Sequence, residues 1–266
     1  MIDIPTYIIC LPYKNEKRCK IDDNLNKYFS NIRKFTAITP KSNKLLPTSI
    51  FVKYKMLTNE KRSHYEINHV NQVGCYSSHY YLWEECIKKD TPIIVAEDDM
   101  ILNDEQFNII KEYLTYITDD MDYISFLNNT YINFLNKLKN KNKKFIKIEK
   151  NYTGTLCYYI TPKGAKKLKE NAIPVQQQVD SYIAMITNIN ELEGYKINMN
   201  LRNIFKENFI PTTLNHTNNI VQYVPENNIF IIFFIIVYTL FLICITITII
   251  NSFYNCSKKT GTEKLR

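Results

Sequence analysis

The sequence predicts an α/β domain with a mostly parallel central sheet, followed by one C-terminal transmembrane helix. Three observations carry this. Short apolar runs alternate with helix-like stretches of about ten residues. One run, Ile93-Ile94-Val95-Ala96, is apolar at every position, the pattern of a strand covered on both faces. The 22 residues of 229–250 carry no charge. At about 1.5 Å per residue they extend roughly 33 Å, enough for a hydrocarbon core of about 30 Å.

Tyr7–Leu11 reads as the first buried strand, and a polar, basic stretch around Arg18 follows. Ile21–Phe29 has helical spacing, and Phe35–Ile38 reads as a second strand. Pro40 and Pro47 mark Thr39–Ile50 as loop. The chain up to Gly74 reads as irregular. Ser77 or Ser78 is expected to cap a helix ending near Lys89, which Asp90-Thr91-Pro92 stops.

The strand Ile93–Ala96 runs into Glu97-Asp98-Asp99. Asn103 or Asp104 opens the next helix, with Phe107, Ile110, Leu114 and Ile117 at helical spacing. Tyr123–Leu127 and Leu156–Ile160 are strands. Between them, 136–150 carries seven lysines and reads as a solvated loop or hairpin. Thr161-Pro162 pairs a capping hydroxyl with proline at the first helical position. Val179–Ile186 is helical again, and Ile197–Leu201 is extended. The expected division is a domain over 1–221, a linker over 222–228, the span over 229–250 and a basic tail over 251–266.

The net charge is +8. The tail holds Lys258, Lys259, Lys264 and Arg266 against Glu263, leaving +5 for the rest. That is too weak and scattered for nucleic acid, though it suits phosphate-bearing ligands or an anionic membrane face. Seven cysteines, without a Cys-x2-Cys pair, read as reduced thiols in a cytosol-facing domain. No secretory signal is read at the N-terminus, which favours a cytosolic domain with a C-terminal anchor. The basic tail favours the opposite orientation. Four sequons occur, at Asn128, Asn151, Asn215 and Asn255, and glycan occupancy at Asn128 or Asn151 would mark the lumenal orientation.

The sharpest chemical feature is Glu97-Asp98-Asp99 at the carboxyl end of a buried strand, the edge where open α/β sheets bind ligands. Carboxylates this close repel one another unless a cation lies among them. A hard divalent ion with oxygen ligands would resolve this and hold a diphosphate. An acidic turn capping the next helix is the alternative. Five glycines leave no room for a G-x-G-x-x-G or Walker loop. There is no H-E-x-x-H or G-x-S-x-G motif. With four histidines and no Cys–His spacing read as a ligand pair, no zinc site is expected.

Several blocks, in order, resemble glycosyltransferase family 25. Asn71-Gln72-Val73-Gly74-Cys75-Tyr76-Ser77-Ser78-His79, then Trp83, then Val95-Ala96-Glu97-Asp98-Asp99 is similar to its central pattern. Tyr7–Leu11 with Arg18, Phe35–Ile38, Gly154–Ala165, Val179-Asp180 and Phe209-Ile210-Pro211 resemble its other blocks. Cys10 stands where the family usually has Asn, and Thr39-Pro40 where it has Asp-Gly.

The resemblance implies a GT-A type fold, Mn²⁺ (or Mg²⁺) and a nucleotide-sugar donor, often UDP-galactose. It implies transfer to an acceptor hydroxyl of a glycan, protein or lipid, with inversion. Glu97, Asp99 and His216 are then expected at the metal. Arg18, His79 and Asp98 are expected at the donor, and Asp180 as general base. A catalytically degenerate, membrane-anchored binding or structural protein is the alternative.

Overall fold

The computed structural model describes residues 1–11, 24–58, 66–126, 143–150, 152 and 154–198. They belong to one compact unit, Met1–Asn215. Among the described residues no helix is long and apolar enough to cross a membrane. The span expected over 229–250, Arg18, His216 and all four sequons lie outside them.

Seven strands form one sheet: β1 (Thr6–Cys10), β2 (Ile32–Thr36), β3 (Ile93–Glu97), β4 (Tyr123–Ser125), β5 (Phe145–Lys147), β6 (Cys157–Ile160) and β7 (Gly194–Ile197). Their order is β2-β1-β3-β6-β4-β7-β5. β1 is parallel to both β2 and β3, and β4 to β7, whereas β6 opposes β3 and β4, and β5 opposes β7. Five strands therefore share one direction. The reversed β6 brings the chain entering it to the carboxyl edge of β3, with Ala96 beside Cys157.

The described helices are α1 (Ile50–Thr58), α2 (Val70–Lys89), α3 (Asp104–Leu114), α4 (Pro162–Glu170) and α5 (Val179–Asn188). The strands alternate their side chains between two cores, as period-2 geometry requires. Tyr7, Ile9, Ile93, Val95, Tyr123, Tyr158 and Ile160 face a core shared with α2, α4 and α5. Ile8, Cys10, Ile94, Ala96, Ile124, Cys157 and Tyr159 face a second core with α3 and Leu25–Phe29. Two buried faces are why Tyr7–Cys10 of β1 and Ile93–Ala96 of β3 are apolar at successive positions.

Helix α2 begins at Val70, before the serines expected to cap it. His69 Nδ1 accepts the Asn71 N–H, and Gln72 returns a side-chain bond to the His69 N–H, a reciprocal capping box. Gly74 therefore lies inside the helix, and its role is steric. A Cβ there would meet the Ile38 carbonyl oxygen at 2.5 Å. The serines pin the same loop instead: Ser78 Oγ accepts the Ile38 N–H at 2.8 Å and Ser77 Oγ the Leu46 N–H at 3.1 Å.

Other elements follow their local signals. Thr161 caps α4 with Pro162 in its first turn, and Asn103 with Gln106 boxes the start of α3. Four further elements depart from expectation, among them β7, which ends at Ile197, where the extended piece was expected to begin. β2 lies three residues earlier than the apolar run suggested. α1 falls in the stretch read as irregular. β5 lies within the lysine-rich 136–150 segment.

Asp122 ties α4 and β7 to the start of β4. It is fully buried, takes Lys167 at 2.6 Å and accepts the Glu193 N–H at 3.0 Å.

Gly74→Ala is expected to destabilise the domain by about 1–3 kcal/mol, since its methyl would strike backbone that cannot rotate away. A lowered urea midpoint with unchanged m-value would show it.

Candidate active site

Glu97 ends β3, and the strand's alternation turns it to the face of Ile93 and Val95, toward α2. Its Oε1 accepts the Thr155 hydroxyl at 2.7 Å and lies 3.7 Å from His79 Nε2. His79 is fully buried, and its other ring nitrogen, Nδ1, is 2.9 Å from the Tyr158 hydroxyl. That hydroxyl accepts the Trp83 indole N–H at 3.2 Å. Of the Glu97 side chain 29 % reaches solvent, yet protein crowds the carboxylate. Burial pushes its pKa up, but the His79 imidazole and the Thr155 hydroxyl outweigh that and hold it below the ordinary range. At 3.7 Å the pair is wider than an ordinary hydrogen bond.

The next two carboxylates leave the strand in a turn closed by the Met100 N–H on the Glu97 carbonyl. Asp98 swings toward β1, where its Oδ2 accepts the Leu11 N–H at 3.1 Å. Asp99 stays half-buried beside α2. Asp180 approaches from the first turn of α5. Its Oδ2 accepts the Gly154 N–H at 3.1 Å, and its Oδ1 the Ser181 N–H at 2.7 Å. Gly154 has a φ of 98°, which glycine adopts without steric cost.

The Cys75 thiol reports how these groups converge. Burial raises its pKa well above the ordinary value, and Glu97, Asp180 and Asp99 raise it further, in that order. Three carboxylates from two separate parts of the chain thus bear on one sulfur.

Residues 3–183, which hold all of these groups, match the family model of Glycosyltransferase family 25 (LPS biosynthesis protein). The chain belongs to glycosyltransferase family 25. Over 104 residues it is 31 % identical to the Lipooligosaccharide biosynthesis protein lic2B of Haemophilus influenzae, covering 36 % of this chain and 39 % of that protein. Over 153 residues it is 26 % identical to a Glycosyltransferase 25 family member of Aedes aegypti, covering 54 % of this chain and 24 % of that protein. The matches span well under half the length of either relative.

In this family 25 chain, His79 lies beside Glu97, and Asp180 holds Gly154, the residue before the Thr155 that bonds Glu97. Asp98 points away from them to β1. Cys10, at the family's Asn position, is buried in the second core with its Sγ on the Ile8 carbonyl, so its side chain does not face the edge. Trp83 is fully buried, as part of the site's support.

Sequence reasoning missed Cys75 and Thr155 as neighbours of Glu97. The signal for Cys75 was available: it precedes His79 by four residues, one helical turn. A shallow concavity of about 530 Å³ lies along β5, lined by Lys143, Lys147 and Tyr195 among others. β6, β4 and β7 separate it from Glu97, and it gathers no comparable group of carboxylates.

Because Glu97 is held below its unfolded value of about 4.3, it contributes stability above that pH, lost as pH falls through the folded value. In EDTA, Glu97→Gln is expected to flatten the acid limb of stability. Urea midpoints of both proteins from neutral pH to roughly pH 3 test this, and parallel slopes would count against it.

Proposed function

We propose that this chain is a GT-A type glycosyltransferase. It moves a hexose, galactose or a close relative, from a UDP-linked donor to an acceptor hydroxyl with inversion. The observation that carries the reading is the Glu97-Asp98-Asp99 turn at the carboxyl end of β3, with Asp180 holding Gly154 next to the Thr155 that bonds Glu97, in a chain of family 25. The name of the Haemophilus relative supports a glycan-bearing acceptor. The uncharged segment 229–250 supports attachment to a membrane.

The donor set fits a hard divalent cation, Mn²⁺ or Mg²⁺. Glu97 and Asp99 offer carboxylate oxygens at a sheet edge, and the negative charge of the carboxylates near the Cys75 thiol is what a cation would relieve. His216 is the proposed additional ligand. When bound, the ion supplies charge neutralisation for the diphosphate leaving group. Arg18 serves the same diphosphate, while Asp98 and His79 belong to the donor side.

Asp180 is the proposed general base. Each of its carboxylate oxygens accepts one backbone N–H, which sets its orientation and leaves a further lone pair. It takes the proton of the acceptor hydroxyl as that oxygen attacks the anomeric carbon. The bond from that carbon to the diphosphate oxygen breaks, and its electron pair leaves with UDP.

The whole chain in detergent is expected to release UDP from a UDP-sugar with Mn²⁺ and not with EDTA. Asp99→Asn should abolish the Mn²⁺-dependent release. Asp180→Asn should lower kcat by about 10²–10⁴-fold, the usual scale for a lost general base, with KM little changed. A folded protein that neither turns over nor binds any nucleotide-sugar would leave the membrane-anchored binding protein as the better reading.

A further inference from the structure

Cys75 and His79 lie four residues apart on α2, so both side chains project from one face. Glu97 meets that face from the end of β3. One donor atom from each, the Cys75 sulfur, a His79 ring nitrogen and a Glu97 oxygen, lie within 4.8 Å of one another. A tetrahedral zinc ion with Zn–N and Zn–O near 2.0–2.1 Å needs those two ligands roughly 3.3 Å apart. His79 Nε2 and Glu97 Oε1 are 3.7 Å apart, a few tenths of an ångström wider than this, and the sulfur, within 4.8 Å of both, moves in by up to about 1 Å to complete the site.

The imidazole is set up for this role. His79 is fully buried, and its Nε2 makes no hydrogen bond. If Nε2 carried the proton, the N–H would face Glu97 across 3.7 Å, too far to be satisfied. If Nδ1 carries it, the proton goes to the Tyr158 oxygen at 2.9 Å and the Nε2 lone pair faces Cys75 and Glu97. An outer hydrogen bond that orients the imidazole in this way is the usual partner of a metal-ligating histidine.

We propose that Cys75, His79 and Glu97 form a binding site for a borderline-soft divalent ion of the zinc class. Binding exchanges the Cys75 S–H proton, released to solvent, for a sulfur–metal bond. The fourth position falls to water. The mixed S, N, O donor set suits zinc or cobalt rather than magnesium. The ion clips α2 to the edge of β3 and fixes the Glu97 carboxylate. The site goes beyond the transferase reading and shares only Glu97 with its metal ligands.

The test uses Co²⁺ as the probe on the whole chain in detergent, stripped with EDTA. Expected are one tightly bound equivalent, tetrahedral d–d bands, a thiolate-to-cobalt charge-transfer band and displacement of all of it by Zn²⁺. Cys75→Ser should remove the charge-transfer band, and Tyr158→Phe should weaken Co²⁺ binding by about 10–100-fold, the usual cost of losing an outer-shell partner. X-ray absorption of the zinc-loaded wild-type protein needs no variant. It should show one sulfur at about 2.3 Å with nitrogen and oxygen completing the shell. A shell with no sulfur or with several, or a charge-transfer band that survives Cys75→Ser in folded protein, overturns the proposal. No sugar donor enters the assay, so a silent cobalt titration leaves the transferase reading standing.

Discussion

Helix α2 approaches the chain leaving β2 so closely that only glycine fits at position 74, with the Ile38 carbonyl oxygen where a methyl would be. One residue on, Cys75 faces the carboxylates, and one turn on, His79 does the same. Ser77 and Ser78 return their hydroxyls to the Val73 and Gly74 carbonyls while accepting N–H groups of the loop. Four neighbouring side-chain positions thus divide between holding the helix down and furnishing the site. Were α2 lifted by a methyl, His79 would move away from Glu97, whose charge state depends on that neighbour.

How much of this was legible follows from where each signal resides. β3, the caps at Asn103 and Thr161, and the helix opening at Val179 are local patterns, and they appear where the residues placed them. α1 escaped because its periodicity is inverted. It buries Lys55, paired with Glu66, and exposes Ile50, Phe51, Tyr54 and Leu57. β5 escaped because Phe145 and Ile146 are short apolar residues in a lysine run, and their partner strand, β7, lies far along the chain. The start of α2 escaped because histidine served as the cap.

The site was legible in composition and only partly in geometry. The carboxylate triplet and its strand were readable, and Asp180 was found by resemblance. That Glu97 answers to Thr155 depends on β6 running antiparallel to β3, which no local pattern encodes. The different fates of the three carboxylates also needed coordinates. The strand stops at Glu97, so the turn, rather than continued alternation, aims Asp98 at β1.

The hydrogen-bond line from Trp83 through Tyr158 to His79 has one more consequence. Trp83 is the single tryptophan of the chain. Its indole donates to the hydroxyl that also meets His79, so two hydrogen bonds separate it from the imidazole. Indole emission responds to the charge and polarity around the ring. Any event that reorients His79 or alters the charge at Glu97 therefore reaches the only strong intrinsic fluorophore in the molecule, which carries a reporter of its own site without added label.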